Sequence, residues 1–243
     1  MKKASKGFTL VELLVVIGIL GILMAVLYPA ISGALADVNM KSFGMTGRKV
    51  VTGIITANTD RIAKGKPLLW PQEAEGKSDD TEDIAGNTYG TSTLYFEALF
   101  DIKNQTSSDK WYPYIDGYEP NWLSGAGIPP HAPGQIQQRN VGWTIVSGLS
   151  DDNLPDFLPV LISRNGDTAN FATSGQNDMS AKSKERIVMG KKFPIPFGNK
   201  GIVIVTKSGA VNTFKGRDCN LRDVYNGNNF TIPDGMTLKY LEP

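Results

Sequence analysis

The sequence contains a single cysteine, Cys219, and a single histidine, His131, among 243 residues. One cysteine excludes an intrachain disulfide, so stability must come from the apolar core or from a bound ion. One histidine with no metal-ligand spacing around it predicts a loop residue rather than a metal ligand. A nucleophilic triad would need His131 as its base, and no partner can be assigned to it. The shortage of both residues argues against a metal centre and against an enzyme.

Sequence motifs of the common catalytic folds are also missing. The chain has no Gly-x-Ser-x-Gly, no His-Glu-x-x-His, no phosphate-binding loop and no Rossmann fingerprint. Carboxylates occur together at Asp151, Asp152 and Asp156, but adjacent side chains on an extended strand point to opposite sides. The acidic stretch Glu73–Asp83 lacks the Asp-x-Asp-x-Asp spacing of a calcium loop and is interpreted as solvated surface. We therefore expect no catalytic residue, no metal and no cofactor.

The sequence also lacks a large excess of positive or of negative charge. The formal net charge is +1, from 25 Lys and Arg against 24 Asp and Glu. Binding to a phosphate backbone relies on clustered positive charge. The sequence thus predicts no nucleic-acid partner.

What the sequence does have is a long apolar run near its start. No charged residue occurs from Leu13 to Ala36, and three lysines precede the run. A helix of about 20 apolar residues crosses a bilayer core of roughly 30 Å. The apolar region of a secretory signal peptide is shorter than this and ends at a cleavage site of small residues. Positive flanks stay cytoplasmic, so the pattern predicts a single membrane span with the rest of the chain outside.

One carboxylate, Glu12, is not explained by a plain membrane anchor. A charged side chain within a membrane span costs on the order of 2.5–3.5 kcal/mol even on lenient scales. Such a residue indicates a function and needs a partner. The surrounding residues supply one.

The start of the chain resembles the class III signal of type IV pilins and of the pseudopilins of type II secretion systems, through Lys6-Gly7-Phe8-Thr9-Leu10-Val11-Glu12-Leu13-Leu14. The resemblance covers about the first thirty residues. It implies that a prepilin peptidase cuts between Gly7 and Phe8 and methylates the new N-terminal Phe8. It also implies that Glu12 meets the terminal ammonium of a neighbouring subunit, because a paired charge is tolerated where a lone one is not. Pro29 matches a proline at which the family's long helix often bends.

The resemblance further implies a location, partners and a domain organisation. The protein would be a single-pass protein of the bacterial inner membrane with an extracytoplasmic head. Its partners would be other pilin-like subunits, the peptidase and methyltransferase, an inner-membrane assembly platform and membrane lipid. We expect a leader at 1–7, a long helix at 8–64 and a globular head at 65–243. Within the helix, 8–31 would cross the membrane and 32–64 would be amphipathic. Loss of the leader changes the formal charge from +1 to −2 because it removes three lysines.

The second half of the long helix carries a predicted buried stripe at helical spacing: Val51, Ile54, Ile55, Asn58 and Ile62. Pro29 predicts a kink, and Gly44 and Gly47 weaken the middle enough for a local break. Lys64-Gly65-Lys66-Pro67 predicts the end of the helix.

The remaining pattern predicts an α+β head. A short helix is expected at 92–100, capped by Ser92 or Thr91, with Leu94, Tyr95, Ala98 and Leu99 facing inward. Strands are expected at 143–147, 158–163, 201–206, 210–214 and 237–241, the third and fourth forming a hairpin and the last lying at an edge. Strands joined by hairpins after one long helix favour an antiparallel sheet packed on that helix.

Aromatic residues are concentrated between residues 103 and 140. Trp111, Tyr114 and Trp122 are candidates for an exposed binding surface, since aromatics on loops bind glycans and proteins. The favoured interpretation is that the aromatics pack inward and order a long loop. Two alternative functions stay open: a membrane-tethered binding module that uses these aromatics, and a tethered hydrolase with His131 buried beside a carboxylate.

Overall fold

The computed structural model describes residues 8–66, 68–71, 89–100, 115, 117–149, 154–169, 171, 176–177, 197–216, 224, 230–232 and 236–243. The helices are α1 (Leu10–Ala63) and α2 (Ser92–Leu99), with 3-10 turns at Pro120–Trp122 and Gln138–Asn140. The strands are β1 (Trp143–Ser147), β2 (Pro159–Ser163), β3 (Gln176–Asn177), β4 (Gly201–Thr206), β5 (Val211–Lys215), β6 (Phe230–Thr231) and β7 (Lys239–Leu241).

The chain forms two compact units whose boundary lies inside α1. The first is Met1–Val38 and the second is Asn39–Pro243. The second half of α1 therefore belongs to the same unit as the sheet.

Helix α1 ends where the sequence predicts. Gly65 adopts φ +65°, a left-handed conformation that glycine adopts without steric cost. The backbone N–H of Gly65 donates to the Ile62 carbonyl and that of Lys66 to the Arg61 carbonyl. These bonds satisfy carbonyls that the last turn of a helix leaves open.

The local break that was expected at Gly44 and Gly47, in the interior of α1, is not present. Helix α1 is continuous through Gly44 and Gly47, with no break. Both are buried against the sheet: an added Cβ on Gly47 would lie 2.5 Å from the Trp143 ring, and one on Gly44 would overlap Val211. These glycines are there because the helix backbone approaches the sheet too closely for any side chain.

The buried stripe of α1 is offset from the predicted one at its end. The buried residues are Met40, Phe43, Gly44, Gly47, Val50, Val51, Ile54, Asn58 and Arg61. Ile62 is 61% exposed and Ile55 also faces outward, so the prediction was wrong for both. A neighbouring helical residue is rotated by about 100°, which places Arg61 rather than Ile62 on the inward face. The aliphatic stem of arginine covers apolar surface while its head remains polar.

The main sheet is antiparallel throughout, in the order β5-β4-β2-β1-β7. The predicted hairpin is β4–β5, with Gly201 opposite Lys215 and Gly209 at φ +79° in the turn. Strand β7 lies at an edge, as predicted. A long N-terminal helix with this sheet confirms the predicted α+β, pilin-like architecture. The short β3–β6 ladder was not predicted, because two-residue strands have no detectable periodicity.

Helix α2 begins at the predicted cap: the Thr91 side chain accepts from the Leu94 backbone N–H at 3.3 Å. Tyr95 and Leu99 are buried as predicted, whereas Leu94 is 49% exposed. Phe96 takes the inward position because the buried face follows Ser92 at spacings of three, four and seven. The Ser92 hydroxyl donates to the Trp143 carbonyl at 2.7 Å, which attaches α2 to β1.

Candidate functional site

The first turn of α1 is closed by two side chains of its own. The Thr9 hydroxyl donates to Glu12 Oε2 at 2.7 Å, and the Thr9 backbone N–H donates to the same oxygen at 2.9 Å. In return the Glu12 backbone N–H donates to the Thr9 hydroxyl at 3.3 Å. This reciprocal arrangement is a capping box, in which a Thr at the helix start and a Glu three residues later satisfy each other's backbone donors.

The capping box changes how the charge of Glu12 is accommodated. A carboxylate at a helix N-terminus is stabilised by the positive end of the helix dipole. Two donors from Thr9 add to that effect. Glu12 therefore has partners within its own chain, in addition to the ammonium that the resemblance implies. Sequence reasoning missed Thr9, although Thr-x-x-Glu immediately before an apolar run is the sequence pattern of a capping box.

The rest of the first unit presents an apolar surface. Every residue from Phe8 to Ile31 is exposed, and Phe8 itself is 80% exposed. Helix α1 is long and apolar enough to cross a membrane by length and composition, a test that signal sequences near an N-terminus also pass. Over the residues that the structure describes this surface is exposed, and apolar surface of this extent indicates contact with lipid or with other proteins.

For the two other predicted site residues of the N-terminal segment, Gly7 and Pro29, the structure gives less information. Gly7 lies outside the described residues. Pro29 lies inside α1, where it supplies no backbone donor, and the Ser32 hydroxyl donates to the Pro29 carbonyl at 3.1 Å. The helix continues through Pro29, and the predicted bend there stays a prediction.

Trp122, one of the three candidate surface aromatics, is buried with only 9% of its surface exposed. Its backbone carbonyl accepts from the Trp143 indole N–H at 3.2 Å, and its ring meets Tyr118 edge-on at 5.9 Å. Tyr118 in turn stacks on Phe100 at 3.8 Å. Trp122 thus belongs to the core and not to an exposed binding surface. Trp111 and Tyr114 lie outside the described residues.

His131 lies in a loop, as predicted, and its side chain is buried, with 5% of its surface exposed. It lies between a phenol and a carbonyl: Tyr118 Oη is 2.7 Å from Nε2, and the Ala132 carbonyl oxygen is 3.0 Å from Nδ1. Since a carbonyl only accepts, we assign the ring proton to Nδ1 and the Tyr118 hydroxyl as donor to Nε2. Burial raises the pKa of Tyr118 well above its ordinary value, which keeps the phenol protonated.

The arrangement around His131 does not match the tethered-hydrolase hypothesis. That hypothesis requires a carboxylate beside the imidazole, and the hydrogen bonds of His131 go to Tyr118 and Ala132 instead. Over the part of the chain that the structure describes, no group of three His, Cys, Asp or Glu side chains could hold a metal ion.

Comparison with known proteins identifies the N-terminal segment. Residues 2–28 match the family model described as the prokaryotic N-terminal methylation motif, which is the class III signal peptide of type IV pilins and pseudopilins. This match confirms the resemblance noted in the sequence. No curated protein and no solved structure matches the chain. The match covers the candidate cleavage site, the capping box and the apolar start of α1.

Proposed function

We propose that this chain, which carries a prepilin-type methylation motif at its start, is a structural subunit of a type IV pilus-like filament or of a type II secretion pseudopilus. The observation that carries the proposal is the match at residues 2–28 with Glu12 inside it. The pilin-like α+β architecture is consistent with it.

Processing is the first step of the proposal. A prepilin peptidase cleaves between Gly7 and Phe8, and the new α-amine of Phe8 is methylated. The leader contains Lys2, Lys3 and Lys6, which hold this end on the cytoplasmic side. The apolar segment 8–31 crosses the inner membrane, and the head, 65–243, lies outside. Helix 8–64 connects the two.

Assembly is the second step, and Glu12 directs it. Both bonds from Thr9 end on Oε2 of the carboxylate, so Oε1 is available to the ammonium of Phe8 on a neighbouring subunit. In a low-dielectric bundle of apolar helices this pair sets the register, because an unpaired charge there is strongly disfavoured. The exposed apolar face of α1 becomes buried among its copies.

The tethered binding module receives no support from Trp122, which is buried. We propose a structural role without catalysis.

The test has two parts, both on protein from membranes. Intact mass and N-terminal sequencing should find a chain that begins at N-methylated Phe8. A Glu12→Ala variant should be processed but form no filaments, while Glu119→Ala, which removes an exposed carboxylate of the head, should assemble normally. A chain that begins at Met1, together with normal behaviour of Glu12→Ala, would show a simple membrane anchor and refute the proposal.

A further inference from the structure

Two tyrosine hydroxyls of the second unit donate to very different acceptors. The Tyr95 hydroxyl donates to the Leu69 carbonyl at 2.8 Å, whereas the Tyr118 hydroxyl donates to Nε2 of His131 at 2.7 Å. A backbone carbonyl accepts a hydrogen bond but is too weak a base to take the proton. An imidazole nitrogen is a base near neutral pH, and this one lies within the distance of about 2.6–3.2 Å at which proton transfer occurs. Of these two phenols, Tyr118 is therefore the one that has a proton acceptor.

The His131 ring is held in the tautomer that can receive this proton. Its Nδ1 donates to the Ala132 carbonyl at 3.0 Å, which leaves Nε2 with a lone pair that faces Tyr118. The phenol and the imidazole are nearly parallel, with 10° between their planes. After a transfer, both N–H groups of the imidazolium would have an acceptor, the Ala132 carbonyl and the phenol oxygen. The proton can therefore move without any change in the positions of the two rings.

In the resting chain the proton stays on the phenol of Tyr118. Burial raises the pKa of Tyr118 above its ordinary value, because low-dielectric surroundings disfavour the phenolate. Transfer of the proton alone would create two opposite charges largely out of water, which is costly. Loss of an electron reverses this balance, because an oxidised phenol is a strong acid and becomes a neutral ring once its proton has moved to His131. The pair therefore loses an electron more easily than a buried phenol that has no base beside it.

The indole ring next to Tyr118 has no comparable acceptor for a proton. Trp122 meets Tyr118 edge-on at 5.9 Å, and its indole N–H has no hydrogen-bond partner in the part of the chain that the structure describes. The ammonium of Lys49 lies 5.5 Å from the centre of the Trp122 ring and disfavours a positive charge on it. An oxidised Trp122 would therefore recover its electron from Tyr118. Gly117 and Glu119, on either side of Tyr118 in the chain, are exposed, so an oxidant in solution can approach.

We propose that Tyr118 and His131 form a redox-active pair that intercepts one-electron oxidants of the class of small inorganic and peroxyl radicals. The oxidant takes one electron from Tyr118 and becomes the corresponding anion. The phenolic O–H bond breaks and an N–H bond forms at Nε2 of His131, so the products in the protein are a neutral phenoxyl radical and an imidazolium. Phe100 stacks on Tyr118 at 3.8 Å and shields one face of the radical. This activity goes beyond the proposed filament role and does not depend on it.

The first test locates the radical in the detergent-solubilised full chain. Tris(bipyridine)ruthenium(III), generated by a light flash, serves as the one-electron oxidant, and electron paramagnetic resonance measures the radical after rapid freezing. The unaltered chain should give a tyrosyl signal, and Tyr118→Phe should lose most of it. Tyr95→Phe removes the same atom from the phenol that bonds a carbonyl and should keep the signal. Equal signals from the two variants, or no tyrosyl signal from the unaltered chain, would overturn the proposal.

The second test follows the proton and needs no substitution. His131 is the only histidine in the sequence, so histidine labelled with ¹⁵N marks a single ring. The infrared difference spectrum between the oxidised and the resting chain should contain the phenoxyl band together with imidazolium bands that shift with the label. A phenoxyl band that appears without any change in the labelled histidine bands would show that the proton goes elsewhere and would overturn the proposal.

A third measurement separates proton transfer from simple hydrogen bonding. Glutamine in His131→Gln keeps an acceptor for the Tyr118 hydroxyl, but an amide oxygen does not hold a proton near neutral pH. This variant should give a weaker tyrosyl signal than the unaltered chain, with an unchanged circular dichroism spectrum. A signal of full strength would show that no base is needed and would contradict the assignment of His131. None of these measurements requires cleavage or filaments, so their outcome is separate from that of the proposed function.

Discussion

The two parts of α1 show how one helix meets two different surroundings. From Phe8 to Ile31 every side chain is exposed, including Leu, Ile and Val side chains that would be buried in most soluble proteins. From Met40 onward the helix buries nine residues within the same compact unit as the sheet. Continuity of backbone hydrogen bonding therefore says little about what a helical residue contacts.

The glycines of α1 make the same contrast residue by residue. Around Gly18, Gly21 and Gly33 an added Cβ would meet nothing within 4 Å. At Gly44, Gly47 and Gly53 it would lie closer than 3.0 Å to a side chain of the head. The first three leave space that a neighbouring helix can use, and the second three are required by packing already present in this chain.

The largest effect is expected from Trp143→Ala. Trp143 is fully buried and stacks on Phe43 of α1 at 3.8 Å. Removing a buried aromatic ring costs about 3–5 kcal/mol in the free energy of unfolding. Urea unfolding of the solubilised chain, followed by the other tryptophans, measures it. Leu20→Ala, in the exposed part of α1, should leave the transition unchanged, because all four tryptophans lie beyond residue 38. A similar loss in both variants would mean that the two parts unfold as one.

The second-largest effect is expected from substitution of a glycine of α1 that packs against the sheet. Gly47→Ala should lower the free energy of unfolding by about 1–3 kcal/mol, because the methyl group would overlap the Trp143 ring and force it to move. Gly21→Ala, with open space around it, should not destabilise the head. The same urea experiment compares them, and an unchanged Gly47→Ala would show that the Trp143 ring shifts without cost.

Alkaline pH should destabilise the head through its buried phenols. Burial raises the pKa of Tyr95 and of Tyr118 above the ordinary value of 10.0. Above that pH the unfolded phenols lose protons while the folded ones keep them, so stability falls as pH rises. Tyr118→Phe should remove from this slope a contribution of about 0.7 kcal/mol per pH unit at pH 10, which rises toward about 1.4 kcal/mol per pH unit above pH 11. His131→Gln keeps the phenol and should keep the slope. A slope unaffected by Tyr118→Phe would contradict the expectation.

The smallest effect is expected at the capping box. Thr9→Val removes the hydroxyl that bonds Glu12, and loss of such a cap costs about 1 kcal/mol locally. Hydrogen exchange of the amides at residues 10–13 should accelerate about fivefold, with the urea transition of the head unchanged. Thr9→Ser keeps a hydroxyl and should exchange as the unaltered chain does. Acceleration in both variants would mean that the hydroxyl is not what closes the turn.

Predictions from the sequence were accurate for features that are determined by residues adjacent in the chain. The helix stop at Gly65, the cap at Thr91 and the β4–β5 hairpin all depend on adjacent residues, and each lies where it was expected. Predictions failed where residues close together on a helix compete for the inward face. Arg61 is buried in place of Ile62, one residue away, and Phe96 in place of Leu94, two residues away, because sequence periodicity does not fix the direction of the buried face to within one or two residues.

The candidate assembly site was predicted almost entirely from the short run of sequence that contains it. Gly7, Phe8 and Glu12 stand within a single short run, and the length and apolarity of that run are properties of neighbouring residues. Tertiary structure decided what depends on residues far apart in the chain. Examples are the close packing of Gly47 against Trp143, the burial of Trp122 and His131, and a cavity between the end of α1 and Ile115. These contacts arise only when the sheet packs on the helix, since close packing couples side chains without regard to their separation in sequence.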